Sequence, residues 1–178
     1  MNIAVVGAGG VGGYFGGRLA FAGNRVTFIA RGATLDAISN NGITILSDND
    51  QVNVTVSATD DPSKVDPVDL VIFAVKTYDT NSAIKSLKSL VSDSTSVLTL
   101  QNGVESYIQL GEAVGNKVVL PGAAYIESSI QSPGVIRQSG DVVRIVFGEL
   151  GGSKSARAIR IQDALENAGV NCELSSDV

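Results

Sequence analysis

The sequence predicts an α/β protein of Rossmann type, with a doubly wound, mostly parallel sheet and a C-terminal antiparallel extension. Three observations carry this reading. Short apolar runs at 2–6, 25–29, 69–75, 96–100 and 117–120, rich in Val, Ile and Leu, read as strands buried on both faces. Helical patterns between several of these runs make the strands parallel, since parallel neighbours need a crossover. After Pro121-Gly122 the pattern changes to runs at 123–130, 134–138 and 142–148, broken by Ser132-Pro133-Gly134 and Ser139-Gly140-Asp141. Turn residues at that spacing suit antiparallel strands.

The first element also carries the strongest chemical signal. Ile3-Ala4-Val5-Val6 runs directly into Gly7-Ala8-Gly9-Gly10-Val11-Gly12, a G-x-G-x-x-G stretch between a strand and a helical pattern. In that setting one glycine makes a tight turn and one lets the backbone approach a pyrophosphate. The third lets the helix pack closely on the strand. The N–H groups and positive dipole end of the helix then face the phosphates. The helix itself contains Gly12, Gly13, Gly16 and Gly17. Each interior glycine costs about 1 kcal/mol relative to alanine, so close backbone packing is expected to compensate.

The second strand, 25–29, leads into Ala30-Arg31-Gly32. Folds of this type that use NAD place Asp or Glu about 20 residues beyond the glycines, on the ribose 2′-hydroxyl. Here Arg31 stands 19 residues after Gly12, and no carboxylate occupies the strand end. A guanidinium fork suits a 2′-phosphate, which points to NADP. A solvated surface arginine is the plainer alternative.

Residues 43–46 and 51–58 alternate polar and apolar side chains around Ser47-Asp48-Asn49-Asp50 and read as an inserted hairpin. In 80–91, Ala83, Ile84, Leu87 and Val91 fall on one helical face, with Thr80 placed to cap the start. In 103–115, Val104, Ile108 and Val114 repeat the pattern more weakly. A last helix over 154–168 puts Ala158, Ile161, Leu165 and Ala168 on one face and stops at Gly169, and 170–174 reads as one more edge strand.

Composition narrows the function classes. The 178 residues hold 44% apolar and 17% charged side chains, with net charge −5 and no basic stripe. That excludes a phosphate-backbone surface, so nucleic acid is not an expected partner. The single Cys172 rules out an internal disulfide and cysteine metal sites, and no metal is expected. Histidine is absent, so proton transfer by this chain would fall to Lys, Tyr or a carboxylate. The apolar start lacks a basic flank and is broken by glycines, unlike a signal peptide. Arg18 and Asn24 interrupt any membrane-spanning run, and a cytoplasmic protein is expected.

Ligands of doubly wound sheets bind outside the carboxyl ends of the strands, where strand order reverses. With 2–6 beside 69–75, and 96–100 next to that, the strand ends Val75-Lys76-Thr77 and Gln101-Asn102-Gly103 join the glycine loop around one crevice. Lys76 would place a charge near a cofactor phosphate or ribose, and Asn102 an amide near the nicotinamide and a substrate carbonyl. Lys76 is equally what a solvated strand end carries, and Asn-Gly is a common turn dipeptide.

Taken together, Gly7-Ala8-Gly9-Gly10-Val11-Gly12-Gly13-Tyr14-Phe15-Gly16, Ala30-Arg31-Gly32, Val75-Lys76-Thr77-Tyr78-Asp79 and Gln101-Asn102-Gly103-Val104-Glu105 resemble the 2-dehydropantoate 2-reductase (ketopantoate reductase) family. Ser132-Pro133-Gly134-Val135-Ile136 is similar as well, and the likeness covers essentially the whole chain. The resemblance implies NADPH-dependent reduction of a 2-oxo acid, 2-dehydropantoate, to pantoate. It implies that Gly7, Ala8, Gly9, Gly10, Val11 and Gly12 bind the pyrophosphate, Arg31 the 2′-phosphate and Lys76 the cofactor. Asn102 would contact both cofactor and substrate.

It also implies a helical domain carrying the catalytic lysine, with no counterpart in residues 1–178. These residues are therefore expected to form one NADP-binding domain without a catalytic residue of its own. Its apolar docking face could drive self-association into a homo-oligomer. Two other classes fit the same signals: a non-catalytic nucleotide-sensing domain, and another NADP-dependent hydroxy-acid dehydrogenase.

Overall fold

The computed structural model describes residues 1–178 apart from Asn49 and Val104. The N-terminal half alternates strands and helices: β1 (Asn2–Val6), α1 (Gly10–Phe21), β2 (Arg25–Ile29), α2 (Gly32–Asn41), β3 (Ile43–Leu46), β4 (Gln51–Val54), β5 (Ser57–Thr59) and β6 (Leu70–Phe73). Then come α3 (Thr80–Leu87), β7 (Ser96–Thr99), α4 (Glu105–Val114), β8 (Val119–Ser132), β9 (Val135–Phe147), α5 (Ala156–Asn167) and β10 (Asn171–Leu174). One sheet runs β4-β3-β9-β8-β7-β6-β1-β2-β5, with β10 branching from β9.

The expected doubly wound core is present. Strands β5, β2, β1, β6, β7 and the first residues of β8 are parallel, with β1 at the reversal point between β2 and β6. Their side chains alternate between two apolar layers. Ala4, Val6, Val71, Phe73 and Val97 pack with Ala83, Leu87 and Leu110 of α3 and α4. Ile3, Val5, Phe28 and Ile72 face the other way, with Phe15 and Leu19 of α1 and Ile161 and Leu165 of α5.

The antiparallel extension is longer and more continuous than the sequence suggests. The runs 117–120 and 123–130 merge into β8, and 134–138 and 142–148 merge into β9. Pro121-Gly122 is not a strand end. It marks the point where β8 leaves β7 (Thr99 opposite Pro121) and takes β9 (Gly122 opposite Phe147). Ser139-Gly140-Asp141 is likewise a bulge inside β9, where the partner of Ile126 is Val143 but that of Glu127 is Ser139. Gly140 lies at φ +75°, and the buried Gln138 amide donates to the Ser139 and Gly140 carbonyls at 2.8 and 2.6 Å. The bulge bends the strand, so its first half pairs parallel with β3 and its last residues pair parallel with β10.

This bend curls the sheet around α1 and accounts for the glycines of that helix. A Cβ at Gly16 would sit 2.7 Å from Val5 Cγ2 and Phe28 Cζ. On the neighbouring face, Gly13 and Gly17 would meet Ile136 Cδ1 at 2.7 Å and Ile45 Cδ1 at 2.8 Å. The helix is clamped from two directions, by the parallel strands and by the returning β3–β9 sheet.

Other departures are local. Residues 51–58 are not one hairpin arm: β4 pairs with β3, and β5 crosses to the far edge to pair with β2. Thr80 is not the cap of α3 but its first residue, preceded by Asp79. That helix ends at Leu87, where the N–H groups of Leu90 and Val91 both donate to the Leu87 carbonyl. In α4 Ser106, Leu110 and Gly111 are buried, whereas Ile108 is exposed. Val104 lies outside the described residues, as does Asn49 of the β3–β4 connection. Helix α5 matches its expected face, is capped by the Ser155 hydroxyl and stops at Gly169. The sequence reading did not include α2, a helix with Ile38 as its one buried residue among those described.

Candidate functional site

The carboxyl ends of β1, β2, β6 and β7 open onto one cleft of about 800 Å³. Gly7 leaves β1 at φ +104°, a conformation that favours glycine. A Cβ there would lie 2.8 Å from the backbone of Ala74 and Val75, so the loop crosses directly over the end of β6. Gly9 caps α1 with no side-chain partner, and nothing lies within 4 Å of where its Cβ would be. The first turn of α1 holds no acidic residue. Its N–H groups therefore face an open, uncapped space where an anion can approach.

Of the residues singled out from sequence, Gly7, Ala8, Gly9, Gly10, Val11, Arg31, Lys76 and Asn102 all line this cleft. Gly12 does not. It lies beneath, where a Cβ would collide with the Gly7 carbonyl oxygen and approach Val5 Cγ1 to 3.1 Å. Its part is to seat the helix on the strand. Arg31 is exposed at the N-terminus of α2, and Lys76 is exposed at the cap of the short 3-10 turn Thr77–Asp79. Neither makes an ion pair among the described residues. Asp79 is the one carboxylate along the lining, so the cleft carries more positive than negative charge.

The structure adds residues that sequence reasoning missed. Strand β8 forms a wall of the cleft through Ala124, Ile126, Ser128 and Ile130. The signal was present as alternation, since these are every second residue of one strand. The wall abuts the glycine loop closely: a Cβ at Gly10 would lie 3.1 Å from Ser128 Oγ and closer still to its carbonyl. Ser128 Oγ is buried and has no hydrogen-bond partner among the described residues.

Gln101, the neighbour of Asn102, is buried, with 6% of the residue exposed. Its Nε2 donates to the Val75 carbonyl at 2.8 Å and to Thr80 Oγ1 at 2.9 Å, while Oε1 has no partner among the described residues. A buried acceptor left without a donor costs about 1–3 kcal/mol.

The donor set suits an elongated ligand with phosphates at its middle and at one end. An uncapped helix terminus sits at the centre, a guanidinium with a second helix terminus at the β2 end, and an ammonium and an amide at the β6–β7 end. Among the described residues no His, Cys, Asp and Glu cluster could hold a metal, and no helix is long and apolar enough to cross a membrane.

Known proteins are similar to this chain in sequence and fold. Residues 3–152 match the family model of ketopantoate reductase PanE/ApbA. The chain is 34% identical over 98% of its length to the "uncharacterized oxidoreductase YkpB" of Bacillus subtilis (strain 168), of which it covers 56%. It is 33% identical over its full length to 2-dehydropantoate 2-reductase of Pyrococcus abyssi, covering 57% of that protein. Among solved structures, the PanE/ApbA family ketopantoate reductase of Ralstonia eutropha JMP134 superposes with a TM-score of 0.90 at 35% identity, over 100% of this chain and 57% of that one. D-mandelate dehydrogenase, solved with NADH and anilino(oxo)acetate, superposes with a TM-score of 0.88 at 26% identity, over 98% of this chain and 57% of that one. The chain thus spans between half and two thirds of the length of these relatives. A glycine loop on β1, polar ends on β6 and β7 and a match over most of its residues place the chain in the ketopantoate reductase family of oxidoreductases.

Proposed function

We propose that residues 1–178 form the NADPH-binding domain of a reductase that converts 2-dehydropantoate to pantoate. The observation that carries this reading is the single cleft joining the uncapped N-terminus of α1 to Arg31, with no carboxylate at the end of β2. Gly7 to Val11 and the first turn of α1 hold the pyrophosphate, and Gly12 keeps that loop seated on β1. Arg31 and the N-terminus of α2 hold the 2′-phosphate, a group to which a guanidinium offers paired charged donors. The remaining half of the cofactor then lies over β6 and β7, because a dinucleotide crosses the sheet at its reversal point. When bound, the nicotinamide supplies the hydride for a 2-oxo acid.

Lys76 balances negative charge on the cofactor, and Asn102 orients both the nicotinamide end and the substrate carbonyl. The β8 wall closes the other side of the cleft against water. Protonation of the developing alkoxide needs an acid within reach of the carbonyl oxygen. Besides Arg31, the titratable side chains along the cleft are Lys76, Tyr78 and Asp79, and Lys76 is committed here to the cofactor. We assign the acid to a second, helical domain of the whole protein, which would dock over this cleft. Residues 1–178 alone then bind NADPH without appreciable turnover.

A second reading, an NADH-dependent dehydrogenase of another 2-oxo acid, draws on the D-mandelate dehydrogenase likeness. Following NADPH and NADH oxidation by the whole protein with 2-dehydropantoate and with an aryl 2-oxo acid separates the two. Faster turnover of 2-dehydropantoate with NADPH is expected. Preference for the aryl acid with NADH would replace the first reading by the second.

A further inference from the structure

We propose that Gln101 is a positioning residue for the nicotinamide end of the cleft, a role resting on the dinucleotide reading above. Val75 immediately precedes Lys76, and Gln101 immediately precedes Asn102. The buried Gln101 amide therefore ties together the two loops that carry the exposed Lys76 and Asn102, through its bond to the Val75 carbonyl. Its second bond, to Thr80 Oγ1, anchors the same pair of loops to the first residue of α3. Below it, the Gln101 N–H approaches Thr99 Oγ1 at 3.4 Å, and Thr99 Oγ1 lies 3.1 Å from Ser106 Oγ of α4. One polar cluster thus joins both strand ends and both helix starts under the site.

The assignment of the amide is not ambiguous, since a carbonyl can only accept and so requires Nε2 toward Val75. The unpartnered Oε1 is the consequence of aiming Nε2 there. An apolar side chain would remove the orphan Oε1 but would also leave the Val75 carbonyl without this donor, so the tie to Val75 is what glutamine supplies at this position. Holding two loops in register does give one. Lys76 and Asn102 make no side-chain hydrogen bonds of their own among the described residues, so their placement depends on the backbone beneath them.

The test is isothermal titration of the chain with NADPH and with adenosine 2′,5′-bisphosphate, which carries the 2′-phosphate but no nicotinamide. Gln101→Met, unbranched and of similar length, is expected to weaken NADPH about tenfold, as loss of a buried hydrogen-bonded tie implies, while bisphosphate affinity stays within about twofold. Thr80→Val, which keeps the Val75 bond, is expected to weaken NADPH by a smaller factor with the bisphosphate again unchanged. If Gln101→Met does not fold, the Thr80→Val result decides alone. Unchanged NADPH affinity overturns the proposal, and so does an equal loss for both ligands, which marks a general prop of the fold. A wild-type chain that binds neither ligand overturns the dinucleotide reading, and this proposal with it.

Discussion

Helix α1 meets the parallel strands through Gly12 and Gly16 and the returning β3–β9 sheet through Gly13 and Gly17. The contact at Gly12 is the tightest of the four, and it opposes a different kind of atom from that at Gly13. At Gly12 the obstacle is the backbone carbonyl of Gly7, in the loop proposed to hold a pyrophosphate; at Gly13 it is the Cγ1–Cδ1 arm of the Ile136 side chain. Backbone cannot move without moving the site, whereas an isoleucine can change rotamer. The parallel half therefore fixes the geometry of the cleft, and the hairpin half encloses it with some tolerance.

Substitutions at and around the two faces test this difference. Gly12→Ala is expected to have the largest effect, about 3 kcal/mol of destabilisation in urea unfolding together with loss of NADPH binding, because the Gly7 loop must move. Equal NADPH affinity in that variant would show that the loop is not the site. On the hairpin side, Arg157→Ala removes the partner of Glu149, whose carboxylate accepts from Arg157 Nε and Nη2 at 2.8 and 2.5 Å and from Ser155 Oγ at 2.5 Å. The expected loss is about 1–2 kcal/mol at neutral pH.

The same ion pair, which ties the segment after β9 to α5, carries a pH dependence. Hydrogen bonds from Arg157, the largest influence, hold the Glu149 carboxyl below its usual range. A carboxyl depressed on folding adds stability above its unfolded value of about 4.3 and loses it as pH falls through the folded value. Wild type and Arg157→Ala should therefore converge in stability on acidification below that value. A difference that stays constant down to low pH would remove Glu149 from the account.

Smaller still is Gly13→Ala. The gain of about 1 kcal/mol in helix propensity opposes the displacement of Ile136, so its net change should stay within about 1 kcal/mol, with NADPH affinity retained. A loss as large as that of Gly12→Ala would erase the distinction between the two faces. The smallest effect is chemical. Burial pushes the Cys172 thiol on β10 up to about 12, so a thiol reagent at pH 8 should label it only after denaturation. Rapid labelling of the native chain would mean that the β9–β10 edge opens readily.

The same contrast decides how much was legible in the sequence. The parallel half is built from local signals: an apolar run, a glycine loop and a helix in adjoining residues, then strand ends such as Val75-Lys76 and Gln101-Asn102 that topology brings together. The hairpin half depends on partners distant in sequence. Pro121-Gly122 and Gly140 look like punctuation, and only the pairing with β7, β9 and β3 shows that the chain continues through them. Residues 57–59 alternate like the hairpin before them, yet they pair with β2. Gln101 was hidden for a similar reason, because its importance lies in Val75 and Thr80, more than twenty residues away in the chain. Helix α2 buries one side chain among those described and starts after Arg31, which gives no side-chain cap, and this leaves little pattern to read.

The proposed placement of NADPH in one cleft, with Arg31 on its 2′-phosphate, is open to direct measurement. The direct measurement is a titration cycle of wild type and Arg31→Ala with NADPH and NADH. Wild type should prefer NADPH by about 10- to 100-fold, the worth of a charge-assisted phosphate contact, and Arg31→Ala should lose that preference with little change toward NADH. Equal affinity of the wild type for the two cofactors, or an equal loss for both in the variant, would contradict it.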